Sequence, residues 1–182
     1  MESRNFYILI ISITLGLAVF WLTVYAVITL DVDLFQSSQT LVIKGEGITS
    51  EFSISLNELK SDKYLQVTDR EFKIVNSFET EYYVTYSGVS LWSILEVENL
   101  LVQSPEELKF QFWARDAYHS PKPINLSIAQ NSPNLVILAY EENGRPLFET
   151  GPIRSVIDDT IIPIGEYSSQ YSVQKLSTII IE

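Results

Sequence analysis

The sequence predicts an α+β domain, dominated by β-structure, behind one N-terminal transmembrane helix. Three observations lead there. The first is a run of 25 residues without a charge, from Phe6 to Leu30. The second is that, beyond residue 38, apolar residues mostly alternate with polar ones or form short β-branched and aromatic blocks. The third is that helical spacing is confined to short stretches that follow a serine.

At about 1.5 Å per residue, the run Phe6–Leu30 spans a hydrocarbon core of about 30 Å with some tilt to spare. A cleaved leader has an apolar region of only about 7–15 residues followed by a small-residue cleavage site, and no Ala-x-Ala follows this run. A lipid-modified anchor needs a cysteine, and the chain has none. Tyr7, Trp21 and Tyr25 suit interfacial anchoring. Arg4 and the α-amino group precede the span, while Asp31 and Asp33 follow it, which places the N-terminus on the cytoplasmic side. The expectation is a single-pass protein of the cell membrane. Residues 1–5 are cytoplasmic, 6–30 span the lipid bilayer, 31–38 form a tether, and 39–182 form an extracytoplasmic domain.

Charge and cysteine content exclude several functions. The chain carries a net charge of −11, and all of it belongs to the part beyond the span, since Glu2 and Arg4 cancel. A nucleic-acid partner needs a basic surface and is not expected. Without cysteine there is no disulfide, no iron–sulfur cluster and no thiolate metal ligand.

The domain's elements follow in order. "QTLVIKGEG" (39–47) alternates and ends in two glycines, as a strand entering a turn does. "ISLNELK" (54–60) reads as a short helix with Ser55 as N-cap and Glu58 three residues on. "YLQVTDREFKIVNSF" (64–78) gives two β-rich runs broken at Asp69-Arg70, and "EYYVTYSG" (81–88) gives another strand. Gly88 stands where the chain swings from strand to helix. In "SLWSILEVENLL" (90–101), Leu91, Ile94 and Leu95 mark one helix face behind Ser90. "LKFQFWARDAY" (108–118) sets Leu108, Phe110 and Phe112 against Lys109, Gln111 and Trp113, so one face is buried. "INLSIAQ" (124–130) is a short helix or turn, and "NLVILAY" (134–140) is a central strand. Asn143-Gly144 forms a type I′ hairpin turn, and Pro146 suits an exit strand that lacks one neighbour. "PIRSVID" (152–158) and "TIIPIG" (160–165) follow, and "SVQKLSTIIIE" (172–182) is a helical turn leading into a final strand.

The order of these motifs resembles one known family. "YSGVSLWSIL" (86–95), "FWARDAY" (112–118), "VILAYEENGRPL" (136–147), "GPIRSVI" (151–157) and "VQKLSTIIIE" (173–182) follow one another as in the oxidoreductase molybdopterin-binding domain. That is the fold of sulfite oxidase and the plant nitrate reductases, and the resemblance covers about residues 39 to 182. It implies a sulfite oxidase-like, molybdopterin-binding fold. It also implies a molybdenum-ligating cysteine in the loop before the Tyr-x-Gly-Val junction. Here the matching stretch, "KIVNSFETEYYV" (73–84), offers only Asn76 and Ser77, and Ala117 replaces the glycine of an Asp-Gly-Tyr turn. A pocket on this fold is implied where the loop Asn76–Phe78, the turn holding Asp116, Tyr118 and His119, and the strand of Arg154 converge. Those six residues, Asn76, Ser77, Asp116, Tyr118, His119 and Arg154, are the candidate ligand-binding set.

Other residues have plainer readings. His119 is the only histidine, so neither a catalytic triad nor a zinc site can be built on it with the residues around it. Arg154 can face an anion or pair with Asp158 or Asp159. Glu141-Glu142 and Asp158-Asp159 are adjacent on strands and point to opposite faces, which disfavours a shared cation. Asn125-Leu126-Ser127 is a glycosylation sequon at Asn125. Trp92, Trp113, Tyr82, Tyr83 and Tyr86 suit core and sheet surface. No catalytic residues and no metal ligands are assigned, and no cofactor is expected. The leading expectation is a membrane-anchored, extracytoplasmic binding module for a membrane-protein partner or a small anionic ligand. The alternative is a molybdopterin-dependent oxidoreductase, or a redox-complex subunit, that binds the cofactor without a cysteine ligand.

Overall fold

The computed structural model describes residues 14–22, 25, 40–147 and 151–182. The chain divides into two units, Met1–Ser37 and Ser38–Glu182. In the first unit, residues 14–22 and Tyr25 are helical, with Leu15, Leu17, Val19, Phe20, Trp21 and Leu22 exposed. Among the described residues no helix is long and apolar enough to cross a membrane, and the rest of the expected span lies outside them.

The second unit holds two sheets. The first has the order β2-β1-β10-β5-β6, from β1 (Thr40–Lys44), β2 (Phe52–Ser55), β5 (Lys109–Ala114), β6 (Ile124–Asn125) and β10 (Leu176–Ile181). The second has the order β3-β4-β7-β8, from β3 (Gln66–Val75), β4 (Glu81–Ser90), β7 (Val136–Glu142) and β8 (Arg145–Pro146), with β9 (Arg154–Ile157) also on β7. Three short helices, α1 (Leu56–Leu59), α2 (Leu91–Val97) and α3 (Ser127–Asn131), connect the strands. The stretch expected to be one helix or turn at 124–130 is therefore a two-residue strand followed by α3. The helical turn expected within 172–182 lies just before it, as a 3-10 turn at Ser168–Tyr171.

Local chemistry explains the ends of these elements. Ser55 Oγ accepts from Glu58 N at 3.3 Å, and Ser90 Oγ accepts from Ser93 N at 3.3 Å, so each serine satisfies an orphan donor at a helix start. At the hairpin, Asn143 (φ 51°) and Gly144 (φ 70°) give the I′ geometry, with Glu142 opposite Arg145. Pro146 lies on β8, a two-residue strand paired to β7. A side chain at residue 144 would meet nothing within 4 Å, so its cost is confined to the backbone. Gly144→Val should therefore lower stability by about 1–3 kcal/mol, read from the urea midpoint. Gly144→Asn should cost far less, because asparagine tolerates positive φ.

The final strand takes a central place in the first sheet. β10 runs parallel to β1 and antiparallel to β5, which joins the two ends of this unit. Leu41, Ile43, Phe110, Phe112, Ile179 and Ile181 form its inner face, packed with α2 and with Val89, Val136 and Leu138 of the second sheet. Each such large apolar side chain contributes about 1.5–3 kcal/mol on burial.

The second sheet buries its other face as well. Phe72, Ile74, Tyr86, Ile137, Ala139 and Val156 form a second apolar cluster. One bulge, at Val67/Arg70, interrupts the β3–β4 pairing, and another, at Ser87/Gly88, interrupts the β4–β7 pairing. The break expected at Asp69-Arg70 is one of these bulges inside a single strand. Asp69 takes φ 47° there and its N–H donates to Ser87 Oγ at 3.0 Å. The free edge of β3 then meets the chain beyond β9. Lys73 N donates to Asp158 Oδ2 at 2.8 Å and Val75 N to Ser168 Oγ at 2.8 Å. Two side chains thus satisfy the edge that a further strand would otherwise cover.

Candidate functional site

The β3–β4 turn is held by its own asparagine. Asn76 Oδ1 accepts from Phe78 N at 2.9 Å and from Thr80 N at 3.0 Å, which fixes the loop. Ser77 and Phe78 are exposed at its tip. Asn125 is similarly engaged: its Oδ1 accepts from Ser127 N and Ser127 Oγ, and its Nδ2 donates to Glu106 O at 2.9 Å. A glycan at this nitrogen would leave it a single N–H for that last bond.

Arg154 pairs across the ladder, not along the chain. Its Nη1 lies 2.7 Å from Glu142 Oε2 and donates to Tyr86 Oη at 3.2 Å, with the guanidinium 5.8 Å from the tyrosine ring centre. Glu142 faces Tyr86 in the β4–β7 register and Arg154 faces Ala139 in the β7–β9 register, which gathers the three side chains. The pairing with Asp158 or Asp159 is not formed, because both carboxylates serve the seam to β3: Asp158 binds Lys73 N and Thr160, and Asp159 accepts from Ser168 Oγ at 2.9 Å. Burial pushes the Tyr86 hydroxyl up to about 12, against the opposing pull of the Arg154 charge. Tyr86 therefore stays protonated at neutral pH. Arg154 Nε is the one buried side-chain nitrogen or oxygen without a partner among the described residues.

The remaining candidates belong to the first sheet. In the turn after β5, Asp116 lies 3.9 Å from Lys175 Nζ and its Oδ1 accepts from Tyr118 N at 3.4 Å. Ala117, where the resembling family has glycine, takes φ 67°. Tyr118 Oη reaches Gln170 O at 3.4 Å. The 3-10 turn Ser168–Tyr171 thereby touches all three segments of the implied pocket: Val75 beside Asn76, Tyr118, and Ser155 beside Arg154. It joins them as a common strut. No hydrogen bond or ion pair among the described residues links Asn76, His119 and Arg154 directly.

His119 is exposed, and its ring is held in place by its neighbours. Its ring lies 4.4 Å from that of Trp113, tilted by 31°, and its Nδ1 lies 2.9 Å from Ser120 O. Trp113 Nε1 donates to Gln111 Oε1 at 3.3 Å, and Gln111 Nε2 donates to Ser120 O at 2.7 Å. This network fixes the indole on the outward face of the first sheet. Beside it is a depression of about 240 Å³ lined by Lys44, Trp113, Ala114, Thr178 and Ile180. In the sequence Trp113 lies on the strand face opposite Phe112 and belongs to no candidate site. The signal available was its alternation with the buried face, which also marks Thr178 and Ile180 on β10. Among the described residues no group of three histidine, cysteine, aspartate or glutamate side chains could hold a metal.

Comparison with known proteins adds a fold. No family model matches the chain, and no curated protein matches it significantly. Among solved structures it is similar to the sulfane dehydrogenase SoxCD from Paracoccus pantotrophus, with a TM-score of 0.54 and 15% sequence identity over 82% of this chain. This chain spans 39% of the length of that one. The likeness supports a distant sulfite oxidase-like fold, as the motif order implies, and concerns the fold alone.

Proposed function

We propose that this protein is a membrane-anchored, extracytoplasmic binding module on a sulfite oxidase-like fold. The observation that carries this reading is the donor set at the place where the resembling family holds molybdenum. The chain has no cysteine, and Asn76 spends its side-chain oxygen on two backbone N–H groups of its own turn. Ser77 offers a hydroxyl, which ionises far less readily than a thiol at neutral pH and is the poorer ligand. These residues do not fit the family's metal attachment, and no reaction step is derived through it. The exposed apolar side chains at 15–22 support a lipid-facing segment within residues 6–30, with the N-terminus cytoplasmic. The acidic balance leaves a membrane-protein partner or a small anionic ligand met at a local cation, and disfavours nucleic acid.

One observation favours a second reading, a molybdopterin-dependent oxidoreductase or redox-complex subunit without a cysteine ligand. One solved protein with a similar fold is a dehydrogenase. Molybdenum and pterin analysis of the full chain purified from its native host separates the two. Neither should be present in stoichiometric amount, and a stoichiometric pterin would overturn the binding-module reading. On intact cells, added protease should cut within 31–182. Cleavage only after lysis would reverse the topology.

A further inference from the structure

We propose that the outward face of the first sheet binds a small carboxylate carrying one aromatic ring. The site deepens the binding-module reading by naming a ligand class for it. Its floor is β10, where Thr178 and Ile180 point away from the core that Ile179 and Ile181 fill. Its walls rise from the two neighbouring strands. Thr178 faces Trp113 on β5, and Ile180 is the register partner of Lys44 on β1. Two interstrand spacings of about 4.8 Å separate the walls, so a lysine and an indole flank a slot roughly 10 Å across.

Three features select the ligand. The first is charge. Lys44 makes no ion pair among the described residues, although acidic side chains outnumber basic ones by 23 to 12 in the chain. No carboxylate lines the depression, so an incoming one meets the ammonium without a competitor. The second is the flat wall. Trp113 is held by its stack on His119 and by its bond to Gln111, so little side-chain freedom is lost when a ring packs against it. The third is size. At about 240 Å³ the depression falls below the range of about 300–1,000 Å³ typical of drug-sized sites, which suits a single ring. Thr178 adds a hydroxyl at the floor, able to donate to a carboxylate oxygen.

The test uses the full chain in detergent with ¹⁵N-labelled tryptophan, which gives three indole signals, from Trp21, Trp92 and Trp113. Benzoate is titrated against acetate, which lacks the ring, and benzyl alcohol, which lacks the charge. Benzoate should shift the Trp113 signal saturably, with an affinity at least about tenfold above either control. Lys44→Gln should weaken benzoate by about tenfold while leaving the thermal midpoint unchanged, because Lys44 is exposed. Absence of a saturable shift would overturn the proposal, as would an equal response to either control or undiminished binding by Lys44→Gln. Such a failure in protein free of molybdenum and pterin removes this site and leaves the binding-module reading standing. A stoichiometric pterin removes that reading whatever benzoate does.

Discussion

Asp158→Ala is expected to cost the globular unit about 2–4 kcal/mol. Asp158 is 5% exposed, and its carboxylate accepts from Lys73 N at 2.8 Å, Thr160 N at 3.0 Å and Thr160 Oγ1 at 2.5 Å. Truncation leaves the Lys73 N–H at a part-buried seam without its acceptor, a loss of about 1–3 kcal/mol. It also removes the cap of the 3-10 turn Asp159–Ile161, a further cost of about 1 kcal/mol. The contact joins residues 85 apart in sequence, so nothing local replaces it. Asp158→Asn keeps one acceptor oxygen and should cost roughly half as much. Lys73→Ala removes only the surface pair with Glu81 and should change stability by under about 1 kcal/mol. Urea unfolding of the three variants, with amide exchange at residue 73, checks the ranking. An alanine variant within about 1 kcal/mol of the parent would show that the seam is not held by Asp158.

That seam marks the limit of what could be read from residues alone. The features that proved legible are short-range: serine caps satisfied three residues on, a hairpin set by two adjacent residues, and alternation along β5. Each depends on neighbours in the chain, so its chemistry is visible in the string. Arg154 shows the opposite case. Asp158 and Asp159 are near it in sequence, yet strand register selects Glu142, and register is a property of three strands together. The Trp113–His119 stack has the same origin, since the turn after β5 folds back to bring the two rings together. The implied pocket was legible only as a set of segments. The strut that touches all three, Ser168–Tyr171, carries no motif, because its work is done by a serine hydroxyl and backbone carbonyls. Ala117 takes a left-handed φ of 67°, which accounts for a glycine at that place in the resembling family.

Gly88→Ala should be as costly, for a reason other than the one its position suggests. A glycine between a strand and a helix invites an explanation from backbone freedom. Gly88, however, lies inside β4 and is not among the glycines at positive φ, and the helix starts three residues later behind Ser90. What excludes a side chain is space. A Cβ here would lie 2.5 Å from Leu138 O and 2.7 Å from Ala139 Cα. Both are backbone atoms of β7, flanked by β4 on one side and by β8 and β9 on the other, with Leu138 and Ala139 fully buried. Such a backbone cannot swing aside as a flexible side chain would. The methyl must push β4 from β7, stretching the ladder beside a bulge and withdrawing Leu138 from the main core. Overpacking against movable neighbours costs about 1–3 kcal/mol, and a fixed strand places this case at or above the upper end. The entropy that alanine removes from the unfolded chain returns only about 0.4–1 kcal/mol. A net loss of about 2–3 kcal/mol should lower the midpoint by roughly 4–12 °C for a unit of this size. Gly144→Ala is the matched control, because the space beside it is open and only positive-φ strain opposes it. If Gly88→Ala melts within a degree or two of the parent, the two strands do not approach as closely as this account requires.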